Sequence, residues 1–179
     1  MGIYHRDYMR PDFQGGSQSG GLRSWSIITW LIVINVTLHV LVWVIAPELF
    51  LVERRGEWIP RGSLSWGELM QGKVWTLFTY MFLHGSLLHL GVNMFVLFFA
   101  GRNVLTMLGR RHFLAIYFGG GLLGAVAQIA FGLIMGKENY LIGASAGVVA
   151  TVIALAALIP EQKVYLLVFF VIPVRMKMK

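Results

Sequence analysis

An all-α membrane protein with several spans is the fold class this sequence predicts, and three observations carry that prediction. Hydrophobic residues make up 57% of the 179-residue chain and charged residues only 13%, against roughly half and a quarter in soluble domains. The charges leave four long intervals free of Asp, Glu, Lys and Arg, over residues 24–47, 74–101, 112–136 and 139–160. Each interval can hold the roughly 20 apolar residues of a spanning helix, and backbone in lipid has to bond to itself, which favours helices.

Taken in order, residues 1–24 are polar and glycine-rich ("DFQGGSQSGGLRS") and read as a flexible cytosolic leader with no cleavable signal. The remainder, 25–179, reads as one membrane domain with spans near 26–46, 86–104, 113–134 and 145–159. Between the first and second lies a connection over residues 47–73 that contains Trp58, Trp66, Pro60 and several glycines. Amphipathic pieces lying in the membrane interface suit that composition. A connection between the second and third spans is expected around Arg102, Arg110 and Arg111. The last apolar run, residues 164–174 ("VYLLVFFVIPV"), is about half a span and ends in the basic "RMKMK", so it cannot cross as a helix.

Net charge is +7. The bases are scattered between apolar runs instead of forming one patch, which argues against a nucleic-acid surface and for cytoplasmic helix ends. Leader, second connection and tail are rich in Arg and Lys, whereas the first and third connections balance acids with bases. The positive-inside rule then puts the N-terminus in the cytoplasm and Ser145 towards the outer face. The chain contains no cysteine, which excludes disulfides and thiolate metal sites.

Polar residues within the spans mark the candidate site, because they are costly in lipid and face the bundle interior. His84 stands at the mouth of the second span, with His89 and Asn93 following. The four-residue step puts His89 and Asn93 on one helical face, where both can aim N–H donors at one point, as an oxyanion requires. The same pair can equally serve as hydrogen-bonding glue between helices. Asn35 and His39 repeat the spacing without a serine motif and read as interhelical contacts. His84 and His89 lack the carboxylate or thiolate partner that a metal centre wants. Ser145 sits in Gly143-x-Ser145-x-Gly147, the short form of a hydrolase nucleophile signature. No strand is expected before it and no Asp or His follows, so a soluble α/β-hydrolase is excluded. The small residues Gly143, Ala144, Ala146, Gly147 and Ala150 also suit a close helix contact.

The segments "TYMFLHGSLLHLGVNMF", "RRHFLAIYFGGG" and "GASAGVVATVIALAALIP" resemble, in order and separation, the rhomboid intramembrane serine proteases. The resemblance runs over about residues 24–179. It implies a six-helix core with an interfacial first loop, a site open to the outer side, and no cofactor or metal. It makes Ser145 the catalytic nucleophile. The Ser145 backbone N–H with the His89 and Asn93 side chains would form the oxyanion hole, with His84 supporting, and Gly143 and Gly147 would permit close packing. Transmembrane protein substrates, within the bilayer, are the implied partners.

Rhomboids draw their general base from a histidine on the last core helix. None of the five histidines here (His5, His39, His84, His89, His112) follows Ser145. The resemblance therefore implies four spans of a six-span core, incomplete at the C-terminus, with the small face around Gly147 open to lipid. It leaves two functions open: an intramembrane serine endopeptidase cutting near the outer leaflet, or a catalytically inactive relative that binds transmembrane clients. A small channel or transporter would want ionisable groups spread through several spans and fits less well.

Overall fold

The computed structural model of the chain describes residues 26–54 and 56–159, together with the backbone of two strands, Tyr165–Val168 and Ile172–Arg175. The leader over residues 1–24 and the basic residues Lys177 and Lys179 lie outside the described residues.

Helix α1, Ile27–Val40, starts where the Ser26 hydroxyl accepts the Thr29 N–H at 3.2 Å, which satisfies one of the donors a helix start leaves open. It runs on through a π-helical turn, Leu41–Ile45. Its buried positions, Ile28, Leu31, Asn35, His39 and Val42, recur at three- and four-residue steps and form one stripe towards the bundle.

The first connection is folded into short pieces. These are α2 (Pro47–Phe50), an antiparallel hairpin of β1 (Leu51–Arg54) and β2 (Glu57–Pro60), α3 (Trp66–Met70), and α4 (Thr76–Thr79) with a 3₁₀ turn, Tyr80–Phe82. Trp58, Trp66 and Trp75 are exposed on it. Glu68 pairs with Lys73 and Arg54. The Glu138 carboxylate accepts the Gly67 N–H at 3.1 Å and the Ser65 hydroxyl at 3.3 Å, so the connection is tied to the loop ahead of Ser145.

Helix α5, Leu87–Val96, opens on the Ser86 cap, whose hydroxyl accepts the His89 N–H at 3.2 Å. It passes through a π turn, Leu97–Gly101, straight into α6, Arg102–Met135. Here the structure corrects the expected connection: Arg102, Arg110 and Arg111 are all helical, and the only break is Gly109 (φ 78°, ψ 170°). Charge does not stop a helix, whereas a single residue with positive φ does, and glycine adopts it without a Cβ clash. The rods on either side, residues 87–108 and 110–135, are about 33 and 39 Å long at 1.5 Å per residue, each enough for a hydrocarbon core of about 30 Å. The second and third spans are thus longer than the expected 86–104 and 113–134.

Helix α7, Ser145–Leu158, packs against α6. In lipid there is little hydrophobic drive between helices, so close fit has to do the work. A methyl added at Gly120 would run into the Ala150 methyl, and one at Gly124 into that of Ala146. Gly147 faces the Tyr117 carbonyl, 2.6 Å from where its own Cβ would stand. Gly147 is therefore buried against α6 and Met81, not open to lipid as expected from the sequence. Tyr80, Met81, Phe113 and Tyr117 fill the centre. The final apolar run forms strands β3 (Tyr165–Val168) and β4 (Ile172–Arg175), paired antiparallel, in keeping with a run too short to span.

Candidate active site

The candidate site is built on a short turn, residues 141–144, held from three sides. Leu64 and Leu141 exchange two backbone hydrogen bonds, 3.0 and 2.7 Å. The Gly143 N–H donates to the Tyr80 carbonyl at 2.9 Å, and the Ala144 N–H donates to His84 Nε2 at 3.4 Å. Gly143 has φ +120°, a conformation that residues with a Cβ rarely adopt. The chain reverses there, so Ser145 becomes the first residue of α7. Its side chain is exposed, and among the described residues its hydroxyl has no hydrogen-bond partner.

His89 lies directly against this turn. A Cβ on Gly143 would stand 2.6 Å from His89 Cε1 and 2.8 Å from Nε2, so only glycine leaves room for the ring. His84 and His89 meet edge to face with centroids 5.0 Å apart. His84 is buried. Because its Nε2 accepts from Ala144, the ring proton belongs on Nδ1, a buried atom. Burial, then the neighbouring His89 and His39, push the His84 imidazole down to about 4. His84 precedes the spanning helix and stays neutral through the physiological range.

Asn93 departs from expectation. It is buried one turn beyond His89 on the same face, but its amide Nδ2 donates to the His89 carbonyl at 3.0 Å. One N–H is thus used within the helix and one is left over. The structure brings His84, His89 and the 143–145 turn together and puts Asn93 a turn deeper. No hydrogen bond joins Ser145 to His89 or Asn93 among the described residues.

Two residues were not read as part of this site from sequence. His39 Nδ1 donates to the His84 carbonyl at 3.1 Å, and Trp43 Nε1 donates to the same oxygen at 2.8 Å. Asn35, by contrast, turns its amide back to Leu31 in its own helix, at 2.8 Å. The available signal was the His39–Trp43 step of four, two polar-edged rings on one face of an apolar helix.

Comparison with known proteins agrees with this architecture. Residues 71–178, more than half of the chain, match the family model described as Rhomboid domain. The presenilin-associated rhomboid-like protein A, mitochondrial, of Danio rerio is 34% identical over 82 residues, which are 46% of this chain and 21% of that protein. The presenilin-associated rhomboid-like proteins, mitochondrial, of Bos taurus and Homo sapiens are each 28% identical over 82 residues, 46% of this chain and 22% of theirs. The match spans only about a fifth of the length of these curated relatives. No solved structure matches the chain.

Proposed function

Since this chain belongs to the rhomboid family, we propose that it acts as an intramembrane serine endopeptidase with Ser145 as nucleophile. The observation that carries the proposal is the left-handed Gly143 turn, which presents an exposed serine at the start of α7 with the His89 ring packed against that turn.

In this reading the Ser145 hydroxyl attacks a peptide carbonyl of a transmembrane substrate. Negative charge collects on the carbonyl oxygen as the hydroxyl gives up its proton; the C–N bond then breaks, the amine leaves with a proton, and water hydrolyses the acyl-enzyme. The oxyanion is held by the Ser145 backbone N–H, by the His89 ring N–H and by the Asn93 N–H not used on the His89 carbonyl. Each such donor contributes on the order of 10²–10³ in rate. His84 fixes the Ala144 peptide and, being neutral with Nε2 engaged, is not the base. The hydroxyl proton passes to a general base, a role that added imidazole can fill. By the positive-inside rule the N-terminus is cytoplasmic, and cleavage takes place towards the outer leaflet.

The second reading, a client-binding protein without protease activity, is favoured by one observation: among the described residues no histidine is hydrogen-bonded to the Ser145 hydroxyl. A fluorophosphonate probe separates the two, with added imidazole standing in for the base. The protease reading expects labelling that rises with imidazole and disappears in Ser145→Ala. A folded chain that stays unlabelled with imidazole present supports the client-binding reading instead.

A further inference from the structure

We propose that α1 controls the geometry of the serine turn through His39 and Trp43, which act together on the His84 carbonyl as positioning residues; the proposal rests on the reading of Ser145 as nucleophile.

The connection is short and continuous. His39 lies on α1 and Trp43 four residues on, in the π turn that continues it, with their rings tilted at 40° and centroids 6.4 Å apart. Both ring N–H groups converge on the His84 oxygen, at 3.1 and 2.8 Å. A carbonyl has two lone pairs, and one donor would satisfy it. Two donors from one rigid helix also fix the direction of the peptide. The imidazole of that same residue then takes the Ala144 N–H at 3.4 Å, and Ala144 is bonded to Ser145. A single hydrogen-bonded residue therefore separates α1 from the peptide that precedes the nucleophile.

The His84 backbone has a second task. Gly85 and Ser86 follow it, and the Ser86 hydroxyl caps α5 on the His89 N–H. A Cβ on Gly85 would sit 3.3 Å from Ile142 Cδ1, so this strip of chain lies against the turn. If the His84 carbonyl shifts, the Ala144 peptide and the start of the His89 helix shift with it. The 3.4 Å bond is the longest of the three and the one that slips first. His39 is buried and Trp43 half-buried, and both bond the His84 carbonyl while Ala144 bonds its ring, so their effect is exerted through His84.

The test compares the full chain with His39→Leu, Trp43→Phe, the two combined, and His39→Gln, which restores an N–H donor. Two readouts are taken: amide hydrogen exchange across residues 139–146, and the rate of imidazole-assisted fluorophosphonate labelling. The combined variant is expected to exchange the Ala144 amide on the order of tenfold faster and to label on the order of tenfold more slowly, as loss of two ordinary hydrogen bonds predicts. His39→Gln is expected to stay within about threefold of the parent on both scales. Unchanged Ala144 exchange in the combined variant overturns the proposal. So does an increase spread evenly through α1, α5 and α7, which is general loosening, or a His39→Gln no better than His39→Leu. If the parent chain does not label but Ala144 exchange rises selectively and His39→Gln restores it, the control of the turn by α1 stands and the nucleophile reading falls.

Discussion

Replacing Gly143 with alanine tests the centre of the site with a single methyl group. The backbone there has φ +120°, and forcing a residue with a Cβ into such a region costs on the order of 1–3 kcal/mol. The new Cβ would also stand 2.6 Å from His89 Cε1 and 2.8 Å from Nε2, well inside the roughly 3.5 Å at which carbon atoms rest. Relieving an overlap of that kind in a packed interior costs about 1–3 kcal/mol more. The ring is the movable partner, so the second cost is expressed as displacement of His89. If His89 serves the oxyanion, labelling of Ser145 falls by about 10²–10³. Gly72→Ala is the matched control, since its φ is +80° with nothing within 4 Å of an added Cβ. It reports backbone strain alone, about 1–2 kcal/mol. Thermal unfolding in detergent and the labelling rate are measured for both. Gly143→Ala should melt lower than Gly72→Ala and lose labelling, whereas Gly72→Ala should keep it. Equal melting temperatures together with parental labelling in Gly143→Ala would refute the packing of His89 against the turn.

Two other outcomes follow from the same geometry. His84 is held down to about 4 in the folded chain, below the usual 6.5 of an unfolded histidine, so the unfolded chain takes up the proton first on acidification. The stability owed to neutral His84 is whole above about pH 6.5 and drains away as pH falls towards 4, at up to about 1.4 kcal/mol per unit; melting curves from pH 7 to 4 should show it, and His84→Gln should flatten the trend. Gly124→Leu drives a side chain into the Ala146 methyl and should destabilise by about 1–3 kcal/mol or more, whereas a leucine at Gly91, where nothing lies within 4 Å, should leave the melting temperature nearly unchanged.

What could be read from the sequence follows the physics that wrote each signal. Lipid forbids charge along a span, so the charge-free intervals located α1 and α7 to within a residue or two: 26–46 against Ile27–Ile45, and 145–159 against Ser145–Leu158. Lipid says nothing about where a helix bends at its surface. Arg102, Arg110 and Arg111 therefore suggested a connection that is in fact helical, and only Gly109 turns. The juxtaposition of His84, His89 and the serine turn was carried by motif resemblance, and packing bears on it through Gly143. The spacing of His89 and Asn93 was correctly read as one face, but a four-residue step also lets an amide reach its own helix's carbonyl, as Asn93 does. Of the two residues read as interhelical contacts, Asn35 bonds within its own helix, whereas His39 does reach beyond it. Only the fold reveals that the His39 target is a carbonyl contributed by a residue 45 positions later.

The modest length of α7 has a consequence for the surrounding lipid. Fourteen residues rise about 21 Å, so a bilayer with a core of about 30 Å meets, on this flank, a wall about 9 Å too low. Acyl chains there must shorten, tilt or yield to water, and the flank becomes a notch in the membrane. On the proposed reading of Ser145 as nucleophile, a transmembrane substrate that drifts into the notch would lose its oily cover at one end before it touches any side chain. Its amides and carbonyls would then find water to bond with, and fraying, which is forbidden in intact hydrocarbon, would become inexpensive there.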